Sequence, residues 1–518
     1  MIELAKIMER ETIEIGSKVE NNLEEHGVLR SIKRNVLEQI NSSFSEVNSS
    51  DSTCNNKNGQ ESKKGKKKGS GANRVVNEVK SDISNDSVIY SIFFLYRVNK
   101  PSENSSNYEP EVVLCSLGAG KSNLSKSKLL NKSEQIRDFH AEILACRAFR
   151  RFILKELTKI SKEKGKSKFF KKSKSGLFRL KYGWKLGIFC SRMPCGDCSV
   201  FQTTDSEIQL FSNACSLKKY KEAVASSEDT LSKDNGVQDD YEVRIKPVRR
   251  DFKVSDINPC LSCSDKLMLW SCLGVQGKLI SGLLEEPLVI SMHLFPLECE
   301  KLTKSEEKLG QYKRKLESSL NFYRRLESNT EIKKRYRDLC EGVFRLNEKE
   351  KGLFELRRHQ ESEIVFYDKN RLFQRDSSPS NTLESKRVDK LGTQPTPLVK
   401  KKKKATKYGK LSFLTCLEDS CLNNQDLEVI QPKTGLKQGT SLKQVGNPKV
   451  RSTYSTKNLK KLITDQFGHL VHDLDFSFLE ASQGETSDAI LESLKRFGGI
   501  GFSRTYFLRK TILKQLFY

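Results

Sequence analysis

His140-Ala141-Glu142, and further along Pro194-Cys195-Gly196-Asp197-Cys198, supply the residue types that hold and use a catalytic metal. Imidazole nitrogen and thiolate sulfur are ligands that zinc takes, and three protein ligands leave its fourth position for water. Glu142, two residues from His140, is close enough to such a metal to move protons without binding it. Together these parts describe a zinc-activated water with a carboxylate as proton shuttle. Taken singly, each fragment is weak. The His-Ala-Glu tripeptide opens many helices by chance, and a Cys-x-x-Cys pair also serves structural zinc or redox chemistry.

A third stretch makes the set specific. His-x-Glu followed by Pro-Cys-x-x-Cys is the pattern of zinc deaminases that attack a nucleobase ring carbon. Ser262-Cys263-Ser264-Asp265-Lys266, then Trp270 and Gly274-Val275-Gln276-Gly277, resembles the adenosine deaminases that act on RNA, both the tRNA-specific and the double-stranded-RNA enzymes. Val243 to Asp251 resembles the Arg-x-Lys-Pro-x-Arg-x-Asp stretch of the tRNA-specific branch, as does Thr434 to Thr440. The resemblance implies zinc held by His140, Cys195 and Cys263, with Glu142 as general acid/base. Cys198 reproduces the Pro-Cys-x-x-Cys spacing of cytidine deaminases and stands as the alternative third ligand. The resemblance further implies a buried inositol hexakisphosphate near Arg147, Lys266 and Gln276, although Cys146 and Leu269 replace arginines of the editing enzymes. It also places Gly118 and Lys121, in Gly118-Ala119-Gly120-Lys121, near a flipped nucleotide.

The net charge of +26, from 92 Lys and Arg against 66 Asp and Glu, points to a polyanionic partner such as RNA. The 36% hydrophobic content and a mean hydropathy of -0.59 leave much of the chain solvated. The opening residues are too charged for a secretory signal, and no apolar run is long enough to span a bilayer. The 14 cysteines are scattered, which suits a reduced cytoplasmic or nuclear protein. Lysine runs at Lys63-Lys68 and Lys400-Lys404 are compatible with nuclear import.

These residues need a scaffold to converge. Apolar β-rich runs at Val88-Tyr96, Val112-Leu117, Trp184-Cys190 and Pro287-His293 read as strands. Asp138 to Thr158 reads as a helix with His140 and Glu142 in its first turn, and Lys266-Cys272 as another. A helix is also expected to begin at Pro194-Cys195, since Pro favours a first helical turn and a helix N-terminus lowers a thiolate pKa. Strands alternating with helices predict an α/β fold, and the resemblance makes it a cytidine-deaminase-like layered α/β/α core. Residues 1–86 read as an N-terminal extension, helical to about Ile40 (Val28, Ile32, Val36, Ile40) and disordered beyond. Residues 87–518 read as the deaminase domain with insertions at about 206–240 and 300–410. Leu297-Glu363 has a charged helical pattern, Asp376-Lys404 reads as a disordered linker, and the tail from Lys457 as helical.

The function expected is conversion of adenosine to inosine in tRNA, at the nucleotide 3′ of the alanine anticodon, by a protein without membrane attachment whose protein partners the sequence does not specify. The rivals are a double-stranded-RNA editor, a cytidine deaminase using Cys198, and a non-catalytic RNA-binding partner of the same fold. No double-stranded-RNA-binding module is legible in the N-terminal part, which favours the tRNA branch.

Overall fold

The computed structural model describes residues 30–42, 88–98, 110–162, 166–204, 207–210, 215–228, 243–246, 253–297, 305–322, 324–325, 334, 362–368, 412–417 and 426–471. The linker expected at Asp376-Lys404 and the disorder expected at Asn41-Asp86 lie outside these residues, apart from positions 41 and 42.

An eight-stranded mixed sheet carries the domain, so the fold class is α/β as expected. In chain order its strands are β1 (Tyr90–Val98), β2 (Pro110–Ala119), β5 (Lys185–Cys190), β10 (Ile290–Pro296), β11 (Glu363–Tyr367), β12 (Ser412–Cys416), β13 (Glu428–Gln431) and β14 (Leu436–Lys437). Spatially they run β11-β10-β5-β1-β2-β12-β13-β14. β1 is antiparallel to both β2 and β5, whereas β5, β10 and β11 are mutually parallel. Small pairs lie outside the sheet: β3 (Phe170–Lys172) with β4 (Phe178–Leu180), β6 (Val200–Thr204) with β7 (Glu207–Leu210), and β8 (Cys215–Ser216) with β9 (Arg244–Ile245).

β1 reads as an almost unbroken apolar run because both its faces are covered. Successive side chains point to opposite faces, so Phe93 and Leu95 enter one core while Ile92, Phe94 and Tyr96 enter the other. The first core receives α2 (Ala141–Lys162) through Leu144, Ala148, Phe149 and Phe152. The second receives α1, residues 30–42, through Ile32, Val36 and Ile40, one residue per turn at i, i+4. Lys33, Asn35 and Gln39 of α1 donate to the carbonyls of Phe366, Pro110 and Val112 at 2.7, 2.9 and 2.7 Å. This ties the helical part of the N-terminal segment to strands on both sides of the sheet.

The remaining helices are α3 (Leu217–Ala225), α4 (Cys263–Leu273), α5 (Gly277–Ser281), α6 (Glu306–Leu320) and α7 (Thr456–Val471). Two expectations change in detail. The stretch expected as a polar loop from Ser206 contains β7, β8 and capped helix α3, with Ser216 Oγ accepting from Lys218 N at 3.2 Å. Of the charged stretch Leu297-Glu363 expected as helical, residues 306–320 form α6, while residues 298–304, 323, 326–333 and 335–361 lie outside the described residues. Glu363 opens strand β11, whose buried Ile364 and Tyr367 extend the sheet beside β10.

Glu134 anchors α7 to the loop before the active-site helix. Its carboxylate accepts from Arg451 Nη2 and Lys457 Nζ, both at 2.7 Å, and from the Gly446 amide at 2.8 Å. The Lys457 bond above all holds its pKa below the ordinary value of 4.5, against the opposing effect of burial. A depressed folded-state pKa means that stability present above about 4.5 is lost as pH falls through the lower folded value. Glu134→Gln should therefore be less stable than the parent at pH 7. That difference should shrink as pH is lowered below 4.5, which urea unfolding at a series of pH values would measure.

Candidate active site

His140 sits immediately before α2, where its ring is not packed into the helix side. Asp138 orients it. One oxygen, Oδ1, accepts from the His140 amide at 3.1 Å and lies 3.1 Å from Nδ1, leaving Nε2 as the ring nitrogen facing away from this carboxylate. The same carboxylate is bound by Lys246 Nζ, 3.0 Å from each oxygen, and by Lys266 Nζ. Asp138 is thereby held ionised well below the usual carboxylate range: the two lysines and His140 outweigh the large upward push of burial. Gly118 of β2 brings α2 to this position. A Cβ there would stand 2.1 Å from Ala145 N and 2.6 Å from the Ala141 carbonyl, so only glycine allows the strand to pass the helix so closely.

Cys195 follows β5 on a loop, and Cys263 begins α4. The helix expected at Pro194-Cys195 is absent. Gly196 turns the chain with φ 102°, a single 3-10 turn spans Asp197–Ser199, and strand β6 begins at Val200. The helix terminus that meets the Cys195 sulfur belongs instead to α4, whose Cys263 amide donates to Cys195 Sγ at 3.3 Å. Gly196 makes this approach feasible, because a Cβ there would lie 2.3 Å from Ser262 Oγ. Ser264 completes the junction: its amide and Oγ donate to the Cys195 carbonyl at 3.0 and 2.9 Å, and its Oγ accepts from the Cys198 amide at 3.0 Å.

Cys195 is the common neighbour: it accepts from the Cys263 amide, and both His140 and the Cys263 thiol lie near enough to shift its titration. The Cys263 bond first, then His140 and Lys246, hold the Cys195 thiol far below its ordinary pKa despite burial, whereas burial and the neighbouring thiolate raise Cys263. Among the described residues no group of three or more His, Cys, Asp or Glu is arranged to hold a metal ion. One imidazole and two thiols are donor types that zinc takes, with the Asp138 carboxylate behind the imidazole. Glu142 is buried beside them, 6% exposed, and burial raises its pKa, with Lys246 opposing and Cys195 reinforcing the shift. A carboxylate so placed can carry a proton nearer neutral pH than an exposed one. Cys198 points elsewhere: burial raises its pKa, and its neighbours are Ser264, Asp197, Arg325 and Asp265.

Comparison with known proteins matches residues 116–359 to the adenosine-deaminase (editase) domain. That segment is similar to the adenosine-deaminase (editase) family. It is 30% identical over 181 residues to the tRNA-specific adenosine deaminase 1 of Drosophila melanogaster, covering 34% of this chain and 43% of that protein. With tRNA-specific adenosine deaminase 1 of Saccharomyces cerevisiae it shares 28% over 190 residues, 36% of this chain and 46% of the other. With the double-stranded RNA-specific adenosine deaminase of Mus musculus it shares 28% over 193 residues, 35% of this chain and 16% of the other. These matches span less than half the length of each relative.

Around the candidate centre, the other singled-out residues divide. Arg147 donates from Nη1 to the Tyr454 carbonyl at 3.2 Å, while its buried Nε has no hydrogen-bond partner. Burial first, then Arg150 and Arg137, bring its pKa down to about 10. Such a cluster of like charges with an orphaned donor suits a bound anion. Lys266 is engaged by Asp138. Gln276 is committed to the backbone, donating to the Leu273 carbonyl at 2.7 Å and accepting from the Leu288 amide at 3.0 Å. Lys121 is exposed at the end of β2, and Gly118 is a packing position against α2.

One functional group escaped the sequence reading. Arg325, wholly buried, donates from Nη1 to Asp265 Oδ1 at 2.6 Å and from Nη2 to Asp197 Oδ2 at 3.1 Å. Arg244 adds Nε to Asp197 Oδ1 at 2.8 Å and its amide to Asp265 Oδ2 at 2.9 Å. The two arginines thus join the Cys195 loop to the Cys263 helix from behind. Nothing in the charged sequence around Arg325 distinguishes it from adjacent Arg324, which pairs with Glu317 at 2.6 Å where both side chains are partly exposed. Removing one partner of a buried ion pair costs about 3–5 kcal/mol, against at most about 1 for an exposed one. Arg325→Met should accordingly lower the unfolding free energy by several-fold more than Arg324→Met, as chemical denaturation of both variants would show.

Proposed function

We propose that the protein hydrolytically deaminates adenosine to inosine in RNA, with tRNA as substrate and the adenosine 3′ of the alanine anticodon as its target. The observation that carries this reading is Cys195 placed beside both Cys263 and His140, next to buried Glu142. The match of residues 116–359 to the adenosine-deaminase (editase) domain supports the reaction, and the names of the Drosophila and yeast relatives support tRNA.

His140, Cys195 and Cys263 would hold zinc, which as a Lewis acid makes water a nucleophile near neutral pH. Asp138 keeps the His140 ring turned so that Nδ1 is occupied and Nε2 is available as donor. Glu142 takes one proton from the water attacking adenine C6 and passes it to the ring nitrogen, then carries the remaining hydroxyl proton to the departing amine. One water is consumed and one ammonia leaves, giving inosine. Lys246, buried between Asp138 and the thiols, balances the negative charge that these groups gather. The target must be turned out of its stack, which costs least in a single-stranded loop. The unpartnered Nε of Arg147, beside Arg150 and Arg137, supports inositol hexakisphosphate as a second, structural ligand; Lys266 would serve it from the Asp138 side.

Glu142→Gln should retain zinc and RNA binding while inosine formation falls by at least about 10²-fold, the lower range for lost general acid–base catalysis. Metal analysis and single-turnover assays on the purified variant would read the two effects separately; turnover near the parent rate would remove Glu142 from this role. Incubation with unfractionated tRNA and with a long RNA duplex, followed by sequencing for adenosine-to-guanosine changes, tests the substrate. A change confined to the position after the alanine anticodon is expected. Conversions spread along the duplex would assign the protein to double-stranded RNA instead.

A further inference from the structure

The residues from Lys166 to Lys185 contain eight Lys or Arg and no Asp or Glu. Their centre is the β3–β4 hairpin, whose apolar positions face inward: Phe170 is 1% exposed and Phe178 is fully buried. The hairpin root is fixed at several points. Ser167 Oγ donates to Glu156 of α2 at 2.5 Å, and Phe169 packs on Phe152 with ring centroids 5.6 Å apart. On its other strand, Phe178 N donates to the Leu283 carbonyl and its carbonyl accepts from Glu285 N, at 2.9 and 2.8 Å. A rigid base therefore presents an exposed cationic outer surface.

Lys166, Lys171, Lys172, Lys174 and Lys185 are exposed and have no acidic partner among the described residues. Tyr182, in the turn after β4, is 100% exposed. A packed domain gains nothing from leaving five cations unpaired around a bare aromatic ring. Cations that neutralise phosphates, with an aromatic face for a base, are what a nucleic acid strand requires. The root packs against Phe152 and Glu156, twelve and sixteen residues beyond His140 on a helix rising 1.5 Å per residue, so it lies roughly 20 Å along α2 from the candidate centre.

We propose that this hairpin is a docking arm for RNA, engaging the phosphate backbone of the substrate away from its reacting nucleotide, with Tyr182 stacking on a base. The proposal rests on RNA being the substrate, as argued above. It extends that reading by assigning affinity to a surface that takes no part in the chemistry.

The test uses the full chain and two variants, Lys171→Ala/Lys172→Ala/Lys174→Ala and Tyr182→Ala, whose exposed positions leave thermal unfolding unchanged. Binding to unfractionated tRNA is titrated over a salt series. Each lost phosphate contact reduces the slope of log affinity against log salt by roughly 0.7–0.9, so the triple variant should lose about two units of slope. Its affinity should fall at least ten-fold, and that of Tyr182→Ala roughly five-fold or more. Inosine formation at saturating tRNA should be unchanged while KM rises. A stem-loop too short to span roughly 20 Å should be processed equally by parent and variants. Unchanged slope and affinity would overturn the proposal. So would a loss restricted to vesicles containing 30% phosphatidylserine, which would make the arm a membrane contact. If the parent forms no inosine in any RNA, the catalytic reading fails, whereas a reduced tRNA-binding slope would still uphold the arm.

Discussion

Two carboxylates, Asp197 and Asp265, are buried side by side behind the cysteines, where a charge is costly unless it is paired. Arg325 answers both at once, and Arg244 reinforces it from the opposite side. Because Asp197 lies two residues after Cys195 and Asp265 two residues after Cys263, the network fixes the separation of the two sulfur donors. A guanidinium is suited to this task because its planar fork offers several donors in fixed directions. The arrangement need not add net stability over an apolar core of equal volume, but it specifies one geometry. The Ser262 and Ser264 hydroxyls then set the fine register between the loop and the helix.

A second buried network performs the same service for the imidazole. Asp138 gathers His140, Lys246 and Lys266 on one carboxylate. Lys246 belongs to the short segment that also carries Arg244, so the two networks share a strand: β9 delivers Arg244 to the cysteines, and the next residue but one reaches the histidine side. The sheet supplies the frame for this convergence. β2 passes close under α2 at Gly118, and β5 ends at the loop that carries Cys195. Charges at the centre are accordingly paired and buried, while Lys171, Lys172 and Lys174 of the β3–β4 hairpin are exposed without an acidic partner among the described residues. That contrast separates the candidate chemistry from the surface proposed to meet RNA.

Much of this was legible in the sequence. The strands β1, β2, β5 and β10 and helices α2 and α4 follow from apolar periodicity, since strands covered on both faces read as continuous apolar runs and helices repeat at three and four residues. The α/β class follows from their alternation. His140, Glu142, Cys195 and Cys263 could be singled out as candidates because they lie in motifs that resemble those of the RNA adenosine deaminases. The net charge is consistent with the RNA partner proposed above. Tertiary structure decided what depends on residues distant in the chain. Arg325 stands 128 residues from Asp197 and 60 from Asp265, and among neighbouring arginines only burial between those carboxylates distinguishes it. The helix terminus beside Cys195 comes from α4 instead of its own loop, and Cys198 turns towards the ion pairs, because Gly196 redirects the chain there. Local spacing determines which groups a segment can offer; the direction in which each points is set by packing between segments, which local spacing does not encode.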